Sequence, residues 1–222
     1  MDSWQKSQLA EERHQKSKRL IFGFDEFERF FQVDRKIFKE QSILAIGCGV
    51  TDPIHYVEAK YRVGIDPLYN VCAEMYKKEH TDNIPHIYGF GENLPFDDNK
   101  FDSVFIYGVL DHCIEPRKVM EETRRVLKIG GKVYIRVYTF IMPKVIRNKM
   151  NLVDIHPHHF SFRELMDLTP HGLLISSVDI KMVSLKEVVM RLNKSTIKSI
   201  VKYLGASILG TEDVALILRK CE

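Results

Sequence analysis

The run Ser42-Ile43-Leu44-Ala45-Ile46 ends abruptly in Gly47-Cys48-Gly49. Four consecutive apolar residues show no alternation, so both faces of the segment want burial. A strand inside a parallel sheet covered on both sides has that pattern. Two glycines at its end let the backbone turn sharply and come close to a ligand or another chain segment. Thr51-Asp52-Pro53 follows. It is a helix-start signal with Pro at the first helical position, predicting helix to about Lys60.

The rhythm then repeats. Arg62-Val63-Gly64-Ile65-Asp66 reads as a second short strand and Tyr69 to Glu79 as a helix. His86 to Gly89 and Ser103 to Tyr107 are the third and fourth strands. Glu115 to Leu127 carries Val119, Met120, Thr123 and Val126 on one helical face, and Ile129-Gly130-Gly131 supplies its stop. Lys132 to Thr139 is a fifth strand. Strands alternating with helices imply a parallel sheet with right-handed crossovers. Beyond it, Asn148 to Phe162 is irregular and His-rich, and Arg163 to Leu168 is a short helix. Leu173 to Val183 and Asp213 to Arg219 are strand-like, with an amphipathic helix from Lys186 to Leu204 between them. Upstream, residues 3 to 20 and 25 to 40 read as two N-terminal helices.

Composition excludes several classes. With 45% hydrophobic and 28% charged residues, the chain is an ordinary globular sequence. Its 222 residues suit one domain without a linker or internal repeat. A net charge of +3 does not point to nucleic acid. No apolar run is long enough to span a bilayer, and the N-terminus lacks the apolar core of a signal peptide. Cys48, Cys72, Cys113 and Cys221 have no CxxC spacing. A reduced, cytoplasmic protein is expected.

Ligands of open α/β sheets bind at the carboxyl ends of the strands. Four features fall there. Gly47 and Gly49 form the turn after strand one, a geometry that a plain tight turn also uses. Asp66 closes strand two, where an acid can accept both ribose hydroxyls of a nucleoside; a turn Asp before Pro67 is the simpler alternative. Gly89-Phe90-Gly91-Glu92-Asn93-Leu94-Pro95-Phe96 follows strand three, either presenting backbone N–H groups to a flat heterocycle or forming a turn-rich loop. Tyr107-Gly108-Val109-Leu110-Asp111-His112 follows strand four, and its Asp-His pair suits acid–base work.

Taken in order, Ile43 to Gly49, Gly64-Ile65-Asp66, Gly91 to Phe96, Phe101 to Val104 and Arg125 to Gly131 resemble the class I S-adenosylmethionine-dependent methyltransferases of the methyltransferase 11 group. The likeness is close over residues 41 to about 138. It implies a Rossmann-like, doubly wound seven-stranded sheet in the order 3-2-1-4-5-7-6, with strand seven antiparallel. It also implies S-adenosyl-L-methionine as cofactor. Gly47 and Gly49 would pass its methionine part and Asp66 would hold the ribose. Pro67 and Leu68 would pack on adenine, Gly91 and Glu92 would flank its edge, and Tyr107 and Leu110 would sit near the sulfonium. One domain, 1-222, would then comprise a helical cover (1-40), a cofactor core (41-140) and an acceptor side (141-222). Three positions depart from the family pattern: Ala45 replaces an acid, Thr51 a glycine and Phe90 an adenine-reading Asp.

The expected reaction is in-line methyl transfer to an oxygen or nitrogen of a small-molecule or sugar-related acceptor, which needs no metal. Alternatives are an inactive nucleoside-binding scaffold on the same fold, or a methyltransferase of RNA or protein. A base is needed only for a hydroxyl or ammonium acceptor, and His112, Asp111 and His158 are the candidates. The segment Asp154 to His159 is open to three uses: acceptor-lining loop, acid–base group or metal site. The 186-204 helix, with Lys186, Arg191, Lys194, Lys198 and Lys202, could touch an anionic membrane or pack on the sheet. Trp4, Gln8, Glu12 and His14 of the first helix are expected to help cover the cofactor.

Overall fold

In a computed structural model, residues 3–17, 24–50, 52–70, 84–149, 156–182 and 211–222 are described. Strands β1 (Ser42–Ile46), β2 (Tyr61–Asp66), β3 (His86–Tyr88), β4 (Phe101–Tyr107), β5 (Leu127–Phe140), β6 (Leu173–Met182) and β7 (Thr211–Lys220) form one sheet in the order β3-β2-β1-β4-β5-β7-β6. Strands β1 to β5 pair in parallel, and β7 runs antiparallel to both β5 and β6. This is the expected α/β architecture. The described helices are α1 (Ser3–Ser17), α2 (Phe24–Phe31), α3 (Pro116–Val126), α4 (Lys144–Lys149) and α5 (Phe162–Asp167). The expected helices over 69–79 and 186–204 fall largely or wholly outside the described residues, as does Thr51.

Alternation along β1 builds two cores. Leu44 and Ile46 enter one cluster with Val104, Ile106, Val119 and Leu216. Ile43 and Ala45 enter the other with Phe27, Phe38, Phe105 and Tyr134. The second cluster is aromatic. Phe27 of α2 lies 4.9 Å from Phe105 and 5.6 Å from Tyr134, ring centroid to centroid. Ala45 is fully buried there, paired with Gly64 and Phe105 in the sheet.

Four boundaries differ from expectation, each for a local reason. The expected helix over 25 to 40 breaks at Gln32, whose φ is 52°, and resumes as a 3-10 turn over Arg35–Phe38. The break folds Phe38 back to 6.0 Å from Phe27. The expected helix to Lys60 is one 3-10 turn, Pro53–Tyr56. Asp52 caps it by accepting from Ile54 N at 2.8 Å, and the chain is already extended and buried at Val57. Helix α3 stops at Val126, four residues before the glycines, because its last carbonyls are taken from outside. Asn99 N donates to Arg125 O and Lys100 N to Val126 O, and Leu127 pairs with Phe101 as the start of β5. Asn148 and Lys149, expected to open the irregular stretch, instead close the short helix α4.

Phe27 meets five aromatic neighbours and is 1% exposed. Phe27→Ala is therefore expected to cost about 3–5 kcal/mol, the usual penalty for emptying a packed aromatic site. Urea denaturation at equal m-value measures it.

Candidate functional site at the carboxyl ends of the strands

The turn after β1 has the expected geometry. Gly47 and Gly49 sit at φ 66° and 40°, in the left-handed region. A Cβ at Gly47 would meet Val109 at 2.5 Å, so only glycine allows β1 to exit this close to the loop after β4. Asp66 ties that turn to the end of β2. One carboxylate oxygen accepts from Gly49 N at 2.8 Å and the other from Leu68 N at 2.7 Å. Each oxygen keeps a lone pair for a hydroxyl donor. Burial pushes the Asp66 carboxyl above its ordinary range, while the two backbone donors pull it back.

Asp52 sits on the other side of the glycine turn. Its second oxygen is buried and has no hydrogen-bond partner among the described residues. Burial, with a smaller contribution from the nearby Asp66, pushes its carboxyl up to about 8. A folded pKa above the unfolded one means that the native state binds the proton more tightly. Stability from this group is therefore present at low pH and lost between about pH 4 and 8. Asn keeps the oxygen that accepts from Ile54 N but has no charge to bury. Asp52→Asn should therefore melt higher than the parent at pH 8, with the gap closing towards pH 4. Calorimetry across that range is the check.

Several expected cofactor residues have structural partners. Leu110 is fully buried in the first core. A Cβ at Gly91 would meet Ile46 at 2.7 Å, so that glycine serves close packing against the core. Glu92 accepts from Ile114 N and Glu115 N at 2.8 and 3.1 Å, holding the approach to α3. The same loop is clamped from below, where Arg125 donates to the carbonyls of Leu94 and Phe96 and Glu122 accepts from Leu94 N. Pro67 and Leu68 remain half-buried beside Asp66. Tyr107 turns towards α2: its hydroxyl accepts from Arg136, and its ring lies 6.3 Å from Phe27. Arg136, which sequence reasoning missed, is 7% exposed and forms a bidentate pair with Asp213 at 2.6 and 2.9 Å, with Glu26 at 3.1 Å.

The loop after β4 carries the polar chemistry. Leu110–His112 is a 3-10 turn. Asp111 is 6% exposed, and its Oδ2 lies 2.8 Å from His156 Nδ1. Although burial alone would raise it, the neighbouring His156 and His112 hold the Asp111 carboxyl below its ordinary range. The His112 and His156 rings are 4.3 Å apart. His158 plays a different part. Its Nε2 pairs with Cys113 O at 2.9 Å, its backbone N donates to Asp111 O, and its ring stacks on Phe160. It therefore fixes the loop, and His156 takes the place beside Asp111. Burial lowers the basicity of His159. Arg147 anchors this segment through the carbonyl of His159 and through Glu164 at 2.6 Å.

Helix α1 spans these parts. Trp4 lies 5.7 Å from Phe90, Ser7 Oγ is 3.1 Å from His112 Nδ1, and the charge of Glu11 acts on Asp66. Residues 4, 7 and 11 share one helical face. That spacing was present in the sequence, but Ser7 and Glu11 are polar and carry no hydrophobic signal. A cavity of about 420 Å³ lined by Gln41, Ser103, Lys128 and Tyr134 opens at the opposite, amino ends of β4 and β5. Sheets of this type do not bind their ligands there.

Residues 44–135 match the family model described as "Methyltransferase domain". Over that stretch the chain resembles a methyltransferase domain, and the match covers less than half of its residues. Among solved structures similar to it, the MccD protein superposes with a TM-score of 0.67 over 89% of this chain and 95% of its own, at 18% identity. A methyltransferase solved with the Haloferax volcanii Trm112 methyltransferase activator gives 0.65 over 100% and 98%, at 16% identity. Phosphoethanolamine N-methyltransferase 2 of Haemonchus contortus, solved with S-adenosylhomocysteine, gives 0.62 over 88% and 51%, at 15% identity. At these identities the likeness is one of fold. In sequence, the demethylmenaquinone methyltransferase of Paenarthrobacter aurescens is 33% identical over 119 residues, 52% of this chain and 45% of its own length. An uncharacterised protein of Methanocaldococcus jannaschii is 40% identical over 76 residues, 34% and 35% respectively. The matched region thus spans less than half the length of either curated relative.

The residues at the ends of β1 and β2 would suit a nucleoside. The glycine turn, the buried Asp66 carboxylate and half-buried Leu68 lie together at the ends of β1 and β2. Ala45, packed among Phe27, Phe105 and Tyr134, offers no polar group at the position where the family has an acid. Phe90 puts an aromatic ring between Trp4 and Tyr88 rather than a carboxylate. No helix among the described residues is long and apolar enough to cross a membrane.

Proposed function

We propose that this chain is an S-adenosylmethionine-dependent methyltransferase acting on an oxygen or nitrogen of a small-molecule or sugar-related acceptor. One observation carries the reading: a single face of α1 meets both the Asp66 side and the His112 side of the strand ends. Cofactor-type and acceptor-type groups are thereby enclosed under one cover.

Bound S-adenosylmethionine supplies a methyl group on a sulfonium, already joined to a good leaving group. Asp66 accepts the ribose hydroxyls, and Gly47 and Gly49 let the backbone come close without side chains in the way. Pro67 and Leu68 offer apolar surface to the adenine, with Phe90 as a further ring nearby. Gly91, Glu92 and Leu110 shape this side from below through their own packing and hydrogen bonds. Tyr107 acts with Arg136 to hold the wall on the α2 side. The chain's main contribution is to hold nucleophile and methyl in line and dry, where orientation alone can supply several kcal/mol of rate acceleration. His112, with the Asp111–His156 pair beside it, meets the acceptor heteroatom and deals with its proton. His158 positions that loop. A cytoplasmic setting belongs to the same proposal.

Calorimetric titration with S-adenosylmethionine should saturate. Asp66→Asn keeps the shape but loses the charge, and it should weaken binding roughly 10- to 150-fold, the value of one charged hydrogen bond. His112→Ala should leave that binding intact and slow methyl transfer about 10²- to 10⁴-fold in an acceptor screen. Absence of cofactor binding at millimolar ligand would overturn the reading. Binding without transfer to any acceptor would instead favour the inactive nucleoside-binding alternative, for which the packed Ala45 speaks.

A further inference from the structure

The structure assigns a divalent transition-metal site to Asp111, His112 and His156, set between the loop after β4 and the segment after β5. One ligand atom from each residue lies within 4.8 Å of the others. Ligands on a common zinc-like centre, at bonds of about 2.0–2.1 Å, stand roughly 3–3.4 Å apart. The Asp111–His156 contact, at 2.8 Å, is already close to that spacing.

Three independent observations point to a cation. The first is an unsatisfied carboxylate oxygen. Asp111 Oδ1 is buried with no hydrogen-bond partner among the described residues, on a side chain that is 6% exposed. His156 faces the other oxygen, and a buried polar atom left unpaired is costly. The second is chemical type. Two imidazoles and one carboxylate on one side of an ion leave further positions open, the donor set used by zinc and by non-haem iron sites. The third is outer support. Ser7 Oγ lies 3.1 Å from His112 Nδ1, the kind of second contact that fixes a ligating ring. The Asp111 and His156 backbones are held in turn, because His158 N donates to Asp111 O and His158 Nε2 pairs with Cys113 O.

This inference rests on the acceptor lying beside Asp111 and His112, and it deepens that reading, with His112 holding the cation and the cation, in place of the imidazole, easing loss of the acceptor's proton. A cation there offers its open positions to an acceptor with two neighbouring oxygens, such as a vicinal diol or a hydroxy acid. It also favours the ionised form of a bound hydroxyl. The sequence offered a metal site only within Asp154 to His159, because Asp111 and His112 lie far from His156 in the chain.

The test uses the full chain, untagged and stripped with a chelator. Zinc chloride is titrated by calorimetry, and cobalt chloride by its visible d–d absorption and by quenching of Trp4, the single tryptophan, three residues before Ser7 on α1. The expected result is one saturable site, weakened 10- to 100-fold or more in Asp111→Asn and in His156→Ala. It should be unchanged in His171→Ala, whose imidazole is exposed at 95%. His156 is partly exposed, so its replacement tests the site even where Asp111→Asn lowers the melting temperature. No saturable binding, or binding equal in parent and His156→Ala, overturns the inference and leaves a bare His–Asp pair. S-adenosylmethionine binding in the same preparations separates the two readings. Cofactor binding without cation binding removes only the metal site. Cation binding without cofactor binding removes only the methyltransferase assignment.

Discussion

The burial of β1 on both faces is the constraint from which the rest of the structure follows. Leu44 and Ile46 face one way and Ile43 and Ala45 the other, and all four are at most 2% exposed. A central strand of that kind must have a strand on each side and a cover on each face. β2 and β4 supply the first. On one face α3 helps supply the second, and on the other α2 brings Phe27 and Phe31 against Phe105 and Tyr134. With both faces closed, the strand ends are where loops can converge on a ligand. The glycine turn after β1, Asp66 after β2 and Asp111-His112 after β4 all lie at that one end.

The motifs shared with methyltransferases divide into two kinds of work. Asp66 and the glycines shape the site itself. The Gly91 to Phe96 loop and Arg125 mainly hold the frame, since Glu92 engages backbone N–H groups before α3 and Arg125 with Glu122 clamps Leu94 and Phe96. A motif can thus mark a functional fold without each residue touching a ligand. The Arg136–Asp213 pair with Glu26 and Tyr107 is a similar frame element on the α2 face. A buried pair of this kind adds little net stability compared with apolar packing, but losing one partner strands a charge. It fixes where α2 and β7 sit.

Beside the loop after β4, the chain solves a problem of distance. His156 belongs to a segment that follows β5, yet it meets Asp111 after β4. The Thr139–Phe160 bridge, the Phe140 N to Phe160 O bond and the buried Arg147 hold that segment against the sheet end. α1 then closes over it with a mostly polar face, and this explains why hydrophobic patterning gave its role so faintly.

Sequence by itself determined the succession of strands and helices along the chain, the glycine turn, the acid at the end of β2 and the placing of Asp111 and His112 after β4. These depend on local chemistry: uninterrupted apolar runs, glycine's access to positive φ and cap residues. Element ends were less well determined where distant groups intervene, as at Gln32, at Val57 and at the α3–β5 junction. Only the tertiary structure decided that Tyr107 turns to Arg136, that Glu92 serves α3, and that His156 rather than His158 stands beside Asp111. It alone set Ser7 and Glu11 beside Trp4 over the strand ends. The physical reason is common to all of these. Polar side chains reach partners tens of residues away, and the sheet order that brings such partners together is a property of the packed molecule, with no trace in the spacing of any one segment.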